Sequence, residues 1–315
     1  MKKTVKQYIA IDSGGTKTLG VLFDEYGVVT HKLRAEGANP NTVGADAAIQ
    51  VVFGVIDKLK TLASASVSGV IISWAGITAY GDAFETRLRQ MTGIDALYTV
   101  TDAVPLLTGG LGDKDGACLI SGTGSVCFVR LNNELIRIGG WGYLLDTSSG
   151  SGFDLGRDAL AAALYHIDGQ GEPTLLTELI QARLGCDVSA AIPRIYEGKQ
   201  AYIATFADLV FEGARHGDRI CLDILHRNCE GLSRMLRAAA KKLSPPFDVV
   251  LSGGIFQNYP EYIQMLKNCA PEGLRLRVMT EPILWGCAAE LLWRLGTCPD
   301  DSFKKCFIET FPLLS

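Results

Sequence analysis

The stretch Asp12-Ser13-Gly14-Gly15-Thr16-Lys17-Thr18 lies between two apolar, β-rich runs, residues 8–11 and 19–23, and its reading decides the fold. Glycine lacks a Cβ, so a glycine turn lets backbone N–H groups come close to phosphate oxygens. Thr16 and Thr18 add hydroxyl donors, Lys17 adds a positive charge, and Asp12 at the strand end can orient a hydrated magnesium ion. The G-x-x-x-x-G-K-[ST] spacing of a Walker loop is absent. The stretch reads as a phosphate-binding hairpin, with an ordinary tight β-turn as the alternative.

Working outward, residues 28–34 make a third strand after the turn Asp24-Glu25-Tyr26-Gly27, which gives an antiparallel meander. Residues 45–64 place Ile49, Val52, Phe53, Ile56, Leu59 and Leu62 at helical spacing. Strand-like 70–74, helix-like 83–91 and strand-like 97–101 complete the order βββαβαβ. The same opening recurs at 117–120, with the turn Ser121-Gly122-Thr123-Gly124-Ser125, the run 126–131, the turn Asn132-Asn133-Glu134 and the run 135–138. Two strand, glycine-turn, strand units imply an internal duplication.

Helix-like segments follow at 157–165, 175–184, 202–212 and 219–242, the last with Leu222, Leu225, Leu232, Met235 and Leu236 on one stripe. Strand 249–252 leads into Gly253-Gly254, and a helix at 284–295 closes the pattern. The acidic, glycine-rich stretch 109–116 is the expected boundary. It divides a lobe 1–113 from a lobe 114–315 whose last helix can pack back on the first.

The chain has 315 residues, 48% of them hydrophobic, which is more than one core commonly supports and suits two lobes with a cleft between them. A net charge of −4 without a long run of like charge gives no footprint for nucleic acid or an anionic membrane, so the expected partner is a small molecule. The apolar stretches 67–78 and 117–129 are too short to span a bilayer. Met1-Lys2-Lys3 is basic, but the apolar run after it ends at Asp12 without a small-residue cleavage site, so a cytoplasmic location is expected. Nine cysteines stand singly, with no C-x-x-C pair, and read as reduced thiols.

Two further glycine segments carry nucleotide chemistry. Gly122, Thr123 and Gly124 repeat the phosphate-binding turn in the second half of the chain. Leu251-Ser252-Gly253-Gly254-Ile255-Phe256-Gln257-Asn258 ends an apolar strand and opens a helix, an arrangement that suits adenosine laid against Gly253 and Gly254.

The order of Asp12 to Thr18, Asp102, Ser121 to Ser125, Gly139-Gly140-Trp141-Gly142 and Ser252 to Asn258 resembles the N-acetylglucosamine kinase group of the BadF/BadG/BcrA/BcrD ATPase family. That family sits within the acetate and sugar kinase, heat-shock 70 and actin superfamily, and the resemblance runs nearly end to end. It implies an α/β fold of two ribonuclease-H-like, actin-like lobes. Each would hold a mixed five-stranded sheet with helices, and they would close on ATP and Mg2+.

The implied activity is ATP-dependent phosphorylation of a hydroxyl, usually O6, of an N-acetylated amino sugar. N-acetylglucosamine is the expected acceptor, with N-acetylmuramic acid as an extension. The resemblance assigns Asp102 as catalytic base and sugar ligand; its alternative is a cap on the helix that begins beside it. Asn39 matches a sugar-hydroxyl ligand, and also suits a plain turn in Gly37-Ala38-Asn39-Pro40. Gly140 and Trp141 match the sugar-lining segment, where the alternative is a buried core Trp. Ala214, in Glu212-Gly213-Ala214-Arg215, would touch the base and ribose, or simply close a helix. Gly14, Gly15, Thr16 and Lys17 would hold phosphates, and Asp12 would hold magnesium through water.

One departure bears on the acceptor. Relatives continue with a Gly-Asp-Glu-Gly-Ser-Gly-like run, whereas this chain reads Leu145-Asp146-Thr147-Ser148-Ser149-Gly150-Ser151-Gly152. Asp146 takes the sugar contact in one alignment and Ser148 in another. Fewer acids would ease entry of a carboxylate-bearing sugar, because like charges repel. Three other readings remain: a BadF-type ATPase that activates a partner enzyme, for which the scattered cysteines offer no iron–sulfur set; a glucosamine kinase; and a sugar-responsive binding protein. A homodimer is the expected assembly.

Overall fold

The computed structural model describes residues 5–146 and 150–313. The chain divides into two compact units, 1–113 with 279–315, and 114–278. The nine cysteines are free thiols.

In the first unit the elements run β1 (Gln7–Ser13), β2 (Lys17–Asp24), β3 (Val29–Glu36), α1 (Pro40–Val43), α2 (Ala45–Leu62), β4 (Val67–Trp74), α3 (Gly81–Thr92), β5 (Leu97–Val100) and α4 (Ala103–Leu111). The sheet order is β3-β2-β1-β4-β5. β1, β2 and β3 pair antiparallel, while β1, β4 and β5 run parallel. The apolar stripe of α2 is buried: Ile49, Val52, Ile56 and Leu59 pack with Ile9, Ile11, Leu22, Val70 and Ile72 from the sheet. Parallel strands covered on their faces are apolar at nearly every position, as Val70, Ile71 and Ile72 are.

The second unit runs β6 (Gly116–Ser121), β7 (Ser125–Leu131), β8 (Glu134–Ile138), α5 (Gly152–Ile167), α6 (Leu176–Leu184), α7 (Ile192–Glu197), α8 (Lys199–Ala204), α9 (Ala207–Arg215), α10 (Arg219–Leu243), β9 (Phe247–Ser252), α11 (Gly254–Asn258), α12 (Pro260–Cys269) and β10 (Leu274–Val278). Its sheet, β10-β9-β6-β7-β8, repeats the first sheet's order and strand directions when β6 is set on β1. The α/β fold and the two mixed five-stranded sheets are as expected, and the duplication is a duplication of topology.

Helix limits differ from the periodic pattern in two places. α5 begins at Gly152 rather than 157, because Ser151 and Asp154 form a reciprocal capping box there. The run 202–212 is two helices, since Arg183 Nη1 binds the Thr205 carbonyl at 2.6 Å and Thr205 Oγ1 binds the Tyr202 carbonyl, which diverts the backbone between α8 and α9.

After β10 the chain returns to the first unit with α13 (Ile283–Arg294) and α14 (Asp301–Thr310). Phe303 and Phe307 of α14 set their rings edge-on to Phe23 at 6.1 and 5.6 Å. Thr310 Oγ1 accepts the Val29 N–H.

Candidate active site

In the first unit the parallel strands bring three polar side chains to one sheet edge. Asp12 pairs in register with Ser73, and Ser73 with Val100, so Asp12, Ser73 and Asp102 all stand at strand C-termini. That edge is where open α/β sheets bind ligands. Ser73 Oγ donates to Asp12 Oδ1 at 3.2 Å. Burial raises the Asp12 carboxyl to about 6, and the nearby Asp102 charge adds to the rise, against the Ser73 hydrogen bond and the Lys17 charge. Asp102 stands at the N-cap position of α4, yet its side chain makes no capping hydrogen bond to that helix, so the plain cap reading is not what the structure shows.

The first hairpin is closed by Gly14 N–H donating to the Lys17 carbonyl at 3.0 Å. Gly15, Thr16 and Lys17 are exposed at its tip. Thr18 is not: it is buried, its hydroxyl 3.0 Å from Ser13 Oγ, so this hydroxyl serves the hairpin and not a ligand. Ala38 N–H donates to the Gly14 carbonyl, which draws the segment after β3 onto the hairpin. A Cβ at Gly37 would lie 2.2 Å from the Gly15 oxygen, so only glycine allows that approach. Asn39 follows, and its turn reading is what the hydrogen bonds show. Its Oδ1 accepts the Asn41 N–H and caps α1, while the amide nitrogen remains a donor.

In the second unit the matching hairpin is closed by Gly122 N–H donating to the Gly124 carbonyl, with Thr123 and Gly124 exposed. The first turn of α5 abuts it: Gly152 N–H donates to the Gly122 carbonyl and Phe153 N–H to the Thr123 carbonyl. β9 ends beside this hairpin, and a Cβ at Gly253, whose φ is 102°, would meet the Ser121 oxygen at 2.2 Å. Gly253 and Gly254 thus open α11 directly against the second hairpin. Ala214 lies on α9, which is fixed to the chain after α11 by the stacked rings of Phe211 and Tyr259 and by the Arg215–Glu261 ion pair. Gly217, at φ 80°, follows the end of that helix, so the helix-end reading is what the structure shows.

Gly139-Gly140-Trp141-Gly142 follows β8. Trp141 is 63% exposed, which excludes the core alternative. Asp146 Oδ2 accepts the Gly140 N–H at 2.6 Å and the Trp141 N–H at 3.4 Å, so the carboxylate shapes the segment. Thr147, Ser148 and Ser149 lie outside the described residues, and the alternative sugar contact at Ser148 lies there with them.

Residues 9–284 match the model of the BadF/BadG/BcrA/BcrD ATPase family. The chain belongs to that family. An N-acetylmuramic acid/N-acetylglucosamine kinase of Clostridium acetobutylicum is 29% identical over 83% of this chain and 90% of its own length. An N-acetyl-D-glucosamine kinase of Dictyostelium discoideum is 28% identical over 84% of this chain and 94% of its own. Among solved structures, a candidate N-acetylglucosamine kinase of Chromobacterium violaceum superposes with a TM-score of 0.73 at 23% identity, covering 91% of this chain and 99% of that one. This likeness shows the fold.

Within the BadF/BadG/BcrA/BcrD chain, sequence reasoning missed two site-shaping side chains. Ser73 carries no signal of its own, because its role comes from lying opposite Asp12 in a parallel pairing. Arg137 was equally silent, a charged residue at a strand end. In the structure it binds the carbonyls of Gly139 and Gly140.

Proposed function

We propose that the chain transfers the γ-phosphoryl group of ATP to a hydroxyl of an N-acetylated amino sugar, with N-acetylglucosamine as the first acceptor to test and O6 as the target. The observation that carries this reading is the pair of carboxylates, Asp12 and Asp102, at one sheet edge beside an exposed glycine hairpin.

In this reading Asp102 accepts the hydroxyl proton as the sugar oxygen attacks the γ-phosphorus. The bond from that phosphorus to the bridging oxygen breaks, and ADP leaves with the electron pair. Asp102 orients the nucleophile more than it activates it, because phosphoryl transfer rests on positioning and charge neutralisation. Asn39 donates to a sugar hydroxyl through its amide nitrogen. Gly140 and Trp141 line the sugar, the indole against its apolar face, and Asp146 holds them in place. Gly14, Gly15, Thr16 and Lys17 are the phosphate-binding candidates of the first hairpin, and Gly122, Thr123 and Gly124 those of the second. Gly253, Gly254 and Ala214 receive adenosine.

Asp12 fits magnesium held through water. Its carboxylate is largely desolvated and repelled by the like charge of Asp102, and a dication would relieve both costs. When bound, magnesium neutralises charge on the β- and γ-phosphates. No described helix is long and apolar enough to cross a membrane. The reading places the enzyme in the cytoplasm, as a homodimer that light scattering would detect.

The test is coupled ADP release with ATP and Mg2+ over N-acetylglucosamine, N-acetylmuramic acid, N-acetylmannosamine, glucosamine, glucose and no sugar. Turnover that requires an N-acetylated amino sugar supports the reading. Hydrolysis indifferent to sugar overturns it.

A further inference from the structure

Arg137, the penultimate residue of β8, is built into the corner that presents Trp141. Its Nε donates to the Gly139 carbonyl at 3.0 Å and its Nη2 to the Gly140 carbonyl. Its guanidinium lies over the Trp141 ring, 4.8 Å from the centroid. From the other side Asp146 Oδ2 takes the Gly140 and Trp141 N–H groups. The corner is therefore held by a cation on its carbonyls and an anion on its amides. Arg137 is exposed, and among the described residues its Nη1 makes no hydrogen bond. A guanidinium with one edge anchored and another edge open is pre-organised for a carboxylate. The only acid in the described part of the run 145–152 is Asp146, and its Oδ2 is engaged on the corner amides.

We propose that Arg137 sets acceptor specificity, admitting N-acetylated amino sugars that carry a carboxylate by pairing with that group while it positions Trp141. The inference rests on the sugar-kinase reading and deepens it. A neutral acceptor uses Arg137 only through Trp141. A carboxylated acceptor uses it twice, through the ring and through the open Nη1 edge. Loss of the guanidinium must therefore cost the two acceptors unequally.

The experiment measures kcat and KM for N-acetylglucosamine and N-acetylmuramic acid in the wild type, Arg137→Gln and Arg137→Lys. In Arg137→Gln, kcat/KM for N-acetylmuramic acid falls by about 30-fold or more, mostly in KM, as expected for a charged hydrogen bond. For N-acetylglucosamine it falls by about 3-fold through the loosened indole. Arg137→Lys restores part of the loss for the anionic sugar, since the charge returns without the planar fork. In the wild type, added salt raises KM for N-acetylmuramic acid and leaves that for N-acetylglucosamine level.

Equal losses for both sugars would mean that Arg137 only braces the corner, and that sinks the specificity claim. So would a wild type that phosphorylates N-acetylglucosamine alone; the kinase reading then stands without it. Turnover of neither sugar removes both.

Discussion

The two hairpins share a scaffold and differ in charge. In each unit an antiparallel hairpin sits at the end of the central strand, and the next parallel strand ends beside it. In the first unit the residue at the strand end is Asp12, facing Ser73. In the second unit the equivalent residue is Ile120, facing Ser252. One half thus carries a buried carboxylate at a cost in stability, while the other keeps an apolar side chain and places Gly253 against the hairpin. The hairpins thus differ in kind: the first presents a carboxylate at its strand end and the second an apolar residue with Gly253 packed against the turn.

The strongest way to break this comparison is Asp102→Asn. It should lower kcat by about 10²- to 10⁴-fold, the contribution of a positioned base, with KM for ATP nearly level. A variant that keeps a tenth of its turnover would remove Asp102 from that role.

Next in size are the two glycines that admit close backbone approach. Gly37→Ala and Gly253→Ala each force a Cβ to 2.2 Å from a carbonyl oxygen, one in each unit. Each should cost about 2–4 kcal/mol in urea unfolding, because backbone must move to make room. A loss in one variant only would show that the hairpins are not built alike.

Asp12→Asn addresses the charge itself. The Asp12 carboxyl is raised to about 6 in the folded chain, so its protonated form stabilises the fold below the ordinary carboxylate range, and that contribution is lost as pH rises through about 6. The variant should therefore exceed the wild type at pH 8 by about 1–3 kcal/mol, with the gap closing towards pH 4. It should also lose Mg2+-dependent turnover. Thermal unfolding across that pH range checks the sign, and a variant less stable at pH 8 would contradict the burial argument.

The smallest effect compares the hairpin tips. Thr16→Ala and Thr123→Ala should each raise KM for ATP by about 3- to 10-fold, the weight of one hydrogen bond. Thr18→Ala would instead register in stability, since its hydroxyl is 3.0 Å from Ser13 Oγ and away from solvent.

Much of the site was legible because it sits in local sequence. A glycine turn between two apolar runs is readable within seven residues, and it occurs twice, so both hairpins and the duplication follow from pattern alone. Trp141 and Asn39 were readable as candidates but not as states. Exposure of the indole and the capping use of Asn39 Oδ1 depend on what packs around them. Ser73 and Arg137 left no pattern at all, because each acts through a partner supplied by strand register or by the path of the following turn.

Local signals in the chain gave both glycine turns and nine of the ten strands in order, since apolar runs and turn residues are read within a few positions; β10 (Leu274–Val278) was not among them, and the mixed five-stranded sheets were implied by the family resemblance. Only the tertiary structure decided which polar groups meet. Parallel pairing set Asp12 beside Ser73 and within reach of the Asp102 charge, which lies far along the chain, and burial made the Asp12 charge costly. It also returned residues 279–315 to the first unit, where Phe303 and Phe307 find Phe23. Apolar burial carries no address in the sequence, and the choice of partner is made by the shape of the surface that remains uncovered.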